Sequence, residues 1–202
     1  MGSAIFCFGL ISNPLKLNLS HRIKFTMLKD RLPSWRDALL IFAAVAFPIH
    51  VWAIIGALRE VPAWILRLSV WDVIGVMSYT LVIALLETLL VTLGIELLTT
   101  LLPEQWRKKK RVAIASIIAF VASIWFVILH YNSTMIDNRQ VVGLAIWGIS
   151  LLALMGGGVW LMLRNSKVEL AVRKLVQQLA VLSVAYLLID IFSIILIIIR
   201  NV

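Results

Sequence analysis

The stretch "ALLETLLVTLGIELLTTLL", residues 84–102, is almost entirely apolar and decides the class of this protein. It belongs to a run that begins near Asp72 and ends just before Pro103. A helix needs about 20 apolar residues to cross a hydrocarbon core roughly 30 Å thick, and this run exceeds that length. Two carboxylates, Glu87 and Glu96, stand inside the stretch with no Lys or Arg beside them, which raises the question of what they contact.

The composition of the whole chain also indicates a membrane environment. Of its 202 residues, 62% are hydrophobic and 14% are charged, whereas soluble domains have about 45–50% apolar and about 25% charged residues. A soluble core of this size cannot cover so much apolar surface. The sequence therefore predicts an all-α integral membrane protein. The single cysteine, Cys7, excludes an intramolecular disulfide framework and a multi-cysteine metal site.

Five segments are long and apolar enough to span the bilayer, which predicts a bundle of five transmembrane helices. Residues 1–37 are predicted to form a cytoplasmic arm, in which 1–26 are either disordered or a mis-assigned start, with Met27 as the initiator. The segment "VPAWILRLSVW", residues 61–71, is either a half-helix in the outer interface or a simple connecting turn. The five-span domain covers 38–199, with predicted spans at about 38–58, 72–102, 112–130, 141–163 and 175–199.

The basic residues alternate between the two sides of the predicted bundle. Fifteen of the 19 Lys and Arg residues lie in 1–37, 103–111 and 164–174, and four lie in the remaining loops and near the C-terminus. Because cytoplasmic loops carry the excess of Lys and Arg, the N-terminus is predicted to be cytoplasmic and the C-terminus outside. Topology thus accounts for the net charge of +9, so we expect no nucleic-acid partner. We expect the protein in a bacterial cytoplasmic (inner) membrane.

Three polar residues from different spans are predicted to lie near the middle of the bilayer. Glu87 is the most costly, since a carboxylate at the bilayer centre costs about 2.5–3.5 kcal/mol and such groups usually face the bundle interior. Thr80 and Gly94 lie seven residues to either side of Glu87, which indicates an inward stripe suited to close helix packing. His50 and Asp190 lie at similar depth, so we predict a midplane polar cluster of His50, Glu87 and Asp190.

This predicted cluster has three interpretations. The side chains can hydrogen-bond one another and fix helix packing, they can form a proton or cation relay, or they can contact a separate protein subunit. The packing interpretation is favoured, because similar depth says nothing about rotation around a helix axis. Glu96 and Asp72 lie towards opposite ends of one helix, where we predict boundary residues, and Asp72 is also a candidate helix cap.

Small residues and a basic cluster complete the candidate sites. The segment "ALMGGGVW", residues 153–160, is either a hinge or a close-packing surface with Ala153 and Gly157 as a small-xxx-small pair. The basic cluster at 107–111 is predicted to face anionic lipid, at about 1 kcal/mol for each cation, or to serve only as the topology signal. The possible hinge or packing positions are Pro48, Gly94, Ala153, Gly156, Gly157 and Gly158, and the basic cluster is Arg107, Lys108, Lys109, Lys110 and Arg111.

The sequence contains no recognisable catalytic motif, and its short loops leave no room for a soluble catalytic domain. The favoured hypothesis is an accessory, anchor or scaffold protein. Its expected partners are the bilayer, anionic lipid at the cytoplasmic face, and other membrane subunits or further copies of itself. The first alternative is a proton-coupled transporter or channel that uses His50, Glu87 and Asp190. The second is an intramembrane enzyme that modifies lipid. We expect neither a cofactor nor a bound metal.

Overall fold

The computed structural model describes residues 34–101 and 103–201, and of residues 104–109 the backbone alone. Within these residues every regular element is a helix. Most of the predicted arm, together with the alternative start at Met27, lies outside the described residues. The helices are α1 (Trp35–Ile65), α2 (Val70–Thr100), α3 (Glu104–Tyr131), α4 (Thr134–Asp137), α5 (Val141–Arg164) and α6 (Ser166–Asn201).

Five of these helices are long and apolar enough to cross a membrane, and only the four-residue α4 is not. The predicted number of long apolar helices is confirmed. Several bounds differ from the predicted ones. Helix α1 continues to Ile65 rather than ending near residue 58, and α6 begins at Ser166 rather than near residue 175. Helical hydrogen bonding does not stop where an apolar segment stops, so charged residues such as Arg173 continue the helix.

Serine side chains cap the first two helices. Ser34 Oγ accepts a hydrogen bond from the Asp37 N–H at 3.2 Å, and Ser69 Oγ accepts one from the Asp72 N–H at 3.2 Å. Such caps satisfy amide groups that have no partner within the helix. The cap of α2 is therefore Ser69, whereas Asp72 lies in the first turn. Residues 66–69 connect α1 to α2 directly, which corresponds to the connecting-turn alternative rather than to a separate half-helix.

The central helix of the bundle is α1. It packs against α2, α3 and α6, and its residues 41–46 are buried apart from the partly buried Phe42. Three of these residues are alanines, whose small side chains let neighbouring helices approach closely. By contrast, α5 lies mainly against α3, and Met162 is its one buried residue. Large apolar side chains remain exposed on every long helix, as contact with lipid requires.

At one end of the bundle, Lys110 links three helices. Its Nζ atom donates to the carbonyl oxygens of Met162 and Leu163 in the last turn of α5, each at 3.1 Å. The same atom lies 3.3 Å from Glu169 Oε2 of α6. A cation at the C-terminal end of a helix satisfies carbonyl groups that have no partner within the helix and interacts favourably with the helix dipole.

At the other end, the last turn of α6 is tied to the start of α2. Arg200 Nη2 donates to Asp72 Oδ1 at 2.6 Å, and Asn201 Nδ2 donates to the Tyr79 hydroxyl oxygen at 2.7 Å. These contacts join residues far apart in the sequence. Together with Lys110 they hold α6 in place at both of its ends.

Candidate functional site

A buried contact between a histidine and a carboxyl group joins α1 to α6. His50 Nε2 lies 3.0 Å from Asp190 Oδ2 and 3.3 Å from Oδ1, and each side chain is 1% exposed. Tyr186, one helical turn before Asp190, stacks its ring on the imidazole with the ring centroids 5.0 Å apart and the planes at 15°. The structure therefore brings together two of the three residues in the predicted midplane cluster.

The sequence of α6 explains why Asp190 faces inward. The polar residues Ser183, Tyr186, Asp190 and Ser193 are spaced by three, four and three positions, which places them on one face of a helix. Tyr186 is partly buried and the other three are buried. This polar stripe therefore faces the helices that α6 packs against, chiefly α1 and α2, and apolar side chains cover the opposite face.

Hydrogen bonding determines how many protons the pair holds. His50 Nδ1 lies 2.9 Å from the carbonyl oxygen of Ala46, and because a carbonyl can only accept, Nδ1 carries a proton. One further proton lies between Nε2 and the Asp190 carboxyl group, bound either to the nitrogen or to an oxygen. In both arrangements the pair has a net charge of zero.

This neutrality favours a packing role over a relay. Losing the shared proton leaves a net negative charge, and gaining another leaves a positive one, where both side chains are almost inaccessible. An uncompensated buried charge is costly, which favours hydrogen bonding within the pair over transfer of a proton through it. A cavity of about 210 Å³ lies away from this pair, between α3 and α5, with Trp125 and Trp147 among its lining residues.

Glu87 does not join this pair. Its side chain is exposed on the outer face of α2, as are Ile83 and Leu90, whereas the neighbouring Thr88 is fully buried. The expectation that Glu87 faces the bundle interior is therefore wrong within one copy of the chain. Successive residues are rotated by about 100° around a helix, and the inward stripe excludes Glu87 because hydroxyl residues occupy it. These residues are Ser78, Thr88, Thr92 and Thr99.

A second polar cluster, which the sequence did not lead us to expect, lies between α2 and α3. Arg111 is 5% exposed, and its Nε donates to Thr99 Oγ1 at 3.1 Å. On the same side of α2, Thr92 Oγ1 and Glu96 Oε1 are buried without a hydrogen-bond partner in the described residues. Glu96, predicted as a boundary residue, thus lies partly inside the protein. The spacing of Thr92, Glu96 and Thr99 by four and three positions is the signal that could have identified this face.

The basic cluster at 107–111 does not face lipid as a whole. Lys110 caps α5 and contacts Glu169, and Arg111 is buried against α2, so the prediction of a lipid-facing surface is wrong for these two residues. A count of charges predicts which side of the membrane a loop occupies, but it does not predict which side chains turn back into the protein. The side chains of Arg107, Lys108 and Lys109 lie outside the described residues.

The predicted hinge or packing residues differ in their surroundings within the described part of the chain. Pro48 lies inside the continuous helix α1, and α5 runs unbroken through its three glycines, so neither position shows a hinge. A Cβ atom at Gly158 would lie 2.9 Å from Ile117 Cγ2 of α3, which marks a close helix contact. The prediction that Ala153 and Gly157 form a surface for close packing of another helix is wrong within one copy, because both residues are exposed. The exposed small residues in this set are Gly94, Ala153, Gly156 and Gly157.

Comparison of the chain with protein-family models, curated protein sequences and solved structures finds no match. Inside the bundle, the His50–Asp190 pair is buried and hydrogen-bonded. On the outer face of α2, Glu87 is exposed and has no hydrogen-bond or ion-pair partner in the described residues.

Proposed function

We propose that the protein is an accessory, anchor or scaffold subunit that associates with other membrane chains laterally, in the plane of the bilayer. The supporting observation is the position of Glu87, on an exposed face of α2 among Leu and Ile side chains and without a partner in the described residues. A carboxylate at the bilayer centre costs about 2.5–3.5 kcal/mol on insertion scales. Association with a chain that supplies a hydrogen-bond partner lowers that cost.

The proposed orientation places the N-terminus in the cytoplasm and the C-terminus outside, in a bacterial inner membrane. Its support is the uneven distribution of Lys and Arg between alternate loops.

Glu87 is 17 residues from the first residue of α2 and 13 from the last. At 1.5 Å per residue, that is about 20 Å or more from either helix end. Glu87 therefore lies near the middle of α2, which in the proposed orientation is within the hydrocarbon core.

The relay alternative has weaker support. It requires His50, Glu87 and Asp190 to share one path, and Glu87 is on the outer face of α2 rather than beside the buried pair. The remaining two residues hold a neutral, hydrogen-bonded arrangement that favours packing. For the lipid-modifying alternative, no specific contact among the described residues provides support.

Site-specific photo-crosslinking in cell membranes tests the proposal. A photoreactive amino acid replaces Leu90, one turn from Glu87, or Leu188 on the apolar face of α6 as the matched control. The two leucines are 68% and 64% exposed. We expect adducts with a protein chain at Leu90 and adducts with lipid alone at Leu188. Lipid adducts alone at both positions would contradict the proposal.

A further inference from the structure

The exposed face of α2 has the residue spacing of a coiled-coil contact. Its residues are separated alternately by three and four positions, and the isoleucine and leucines among them are each more than half exposed. Helices that wrap around each other repeat their contact residues every 3.5 positions. We name this set the α2 seam, which consists of Thr80, Ile83, Glu87, Leu90, Gly94 and Leu97. Thr80 is partly buried, and the other five residues are exposed.

Two residues of the α2 seam indicate that another helix covers it. Among the described residues, no atom lies within 4 Å of a Cβ atom at Gly94, and glycine at a contact position lets a neighbouring backbone come close. Glu87, two turns earlier, is a single ionisable group between apolar contact residues. A lone polar residue at such a position specifies the register and the number of chains in a coiled coil, at some cost in stability.

The α2 seam is also long enough to form a contact across the bilayer. From Thr80 to Leu97 it covers 17 residue steps, which is about 26 Å of helix. The hydrocarbon core is roughly 30 Å thick. A partner helix of the same length can therefore contact the seam through most of the membrane.

A second copy of the chain supplies a partner for Glu87 at the correct depth. Copies inserted in one orientation are related by an axis along the membrane normal, so the two Glu87 residues lie at equal depth. Two carboxyl groups at equal depth can form a hydrogen bond with each other, because a carboxyl oxygen accepts and a carboxyl O–H donates. No Lys or Arg lies within the five predicted spans, so the chain itself offers no cation at that depth.

We infer that the protein forms a parallel dimer through the α2 seam, with the two Glu87 carboxyl groups in contact at its centre. This inference rests on the proposed function and names the partner as a second copy of the chain. The His50–Asp190 pair lies inside each copy and takes no part in the contact.

Energy transfer between two populations of the full chain, one carrying a donor and the other an acceptor fluorophore, measures the dimer in liposomes. We expect Gly94→Ile to abolish energy transfer, because the larger side chain separates the two α2 helices. Gly157→Ile on α5 is the matched control, since a Cβ atom at that position also has no atom of the described residues within 4 Å. Glu87→Gln retains hydrogen bonding and should retain the dimer, whereas Glu87→Leu should weaken it on the order of tenfold.

Several outcomes overturn the dimer. One is no energy transfer in the unsubstituted protein at high protein-to-lipid ratio, and another is energy transfer that survives Gly94→Ile. Equal loss in both glycine variants also overturns it, because the contact would then not belong to α2. If the dimer fails and a photoreactive group at Leu90 still captures another protein chain, the proposed function stands with a different partner. Capture of lipid alone overturns both proposals.

Discussion

Arg200 of α6 occupies the space beside Gly75 of α2. A Cβ atom at position 75 would coincide with the Arg200 guanidinium group, which is held there because its Nη2 donates to Asp72 Oδ1 at 2.6 Å. The glycine thus lets the last turn of α6 lie directly against the first turns of α2. Gly56 of α1 provides a contrast, since in the part of the chain that the structure describes no atom lies within 4 Å of a Cβ atom at that position.

We expect Gly75→Ala to displace Arg200 and to give a lower unfolding temperature than Gly56→Ala. Both substitutions raise helix propensity by the same amount, on the order of 1 kcal/mol, but only the first meets an occupied position. Thermal unfolding in detergent micelles, followed by circular dichroism, measures the difference. In an Arg200→Ala background the two alanine variants should become equivalent, as a double-mutant cycle detects. A difference that persists there would show that Arg200 is not the obstacle.

Removing one partner of the buried pair is expected to destabilise the bundle strongly. His50→Ala leaves the Asp190 carboxyl group buried without its partner, and the expected loss is about 3–5 kcal/mol of unfolding free energy. Asp190→Asn should cost much less, because the amide N–H of asparagine can donate to His50 Nε2. Denaturant unfolding in micelles measures both variants.

A double substitution tests whether the pair stabilises the bundle by more than the mutual neutralisation of its two polar groups. His50→Leu combined with Asp190→Leu replaces both polar groups by apolar ones, and such replacements of buried pairs are often neutral or stabilising. We therefore expect the double variant to be more stable than His50→Ala. If the double variant is as unstable as the single one, the pair contributes more than mutual neutralisation of two buried polar groups.

Lys110 is expected to hold the C-terminal end of α5 against α3 and α6. Lys110→Ala removes two hydrogen bonds to carbonyl groups and the contact with Glu169, at a cost of about 1–2 kcal/mol. Lys167→Ala is the control, because it removes an exposed cation near the same helix end. Hydrogen exchange of the last turn of α5 should accelerate in the first variant alone. Equal behaviour of both variants would mean that Lys110 acts only as a topology signal.

Two indole rings attach α5 to α3 nearer the other end. Trp125 Nε1 donates to the Trp147 carbonyl oxygen at 3.2 Å, and Trp147 Nε1 donates to the Trp125 carbonyl oxygen at 3.1 Å. Trp147→Phe keeps an aromatic ring but loses one N–H donor, so we expect a loss of about 1 kcal/mol. Hydrogen exchange in the first half of α5 should accelerate. Trp160→Phe, at a residue 58% exposed, should leave it unchanged, and acceleration in both variants would argue against the indole contacts.

The number of long helices could be predicted because length and apolar composition are direct requirements of the bilayer. Their bounds could not, because hydrogen bonding within a helix continues past an apolar segment. The extension of α6 from residue 175 back to Ser166 illustrates this, since the added residues include charged side chains that the hydrocarbon core excludes. Lys110 and Arg111 illustrate the same limit at the start of α3, where charge alone did not predict contacts with the protein.

For the candidate site, the sequence predicts how deep a side chain lies in the membrane better than it predicts which side of its helix the side chain is on. Counting along the spans placed His50 and Asp190 at similar depth, and the structure brings them into contact. The same count placed Glu87 with them, but Thr88 rather than Glu87 faces inward. The distribution of hydroxyl residues along α2 indicates which side of the helix faces inward, because Ser and Thr are enriched where membrane helices pack together. The single carboxylate of Glu87 lies on the opposite side of α2 from these hydroxyl residues.

The distance between His50 and Asp190 along the chain has a consequence for biosynthesis. The two residues are 140 positions apart, and ribosomes add about 5–20 residues per second, so Asp190 is made about 7–28 s after His50. During that interval α1, the central helix, resides in the membrane with its imidazole unmatched by any carboxyl group. The nascent chain therefore inserts its core helix first and completes that helix's polar contact last. In a chain truncated before α6, His50 never gains the Asp190 carboxyl group as a partner. We expect the cell to degrade such a chain faster than the full-length protein.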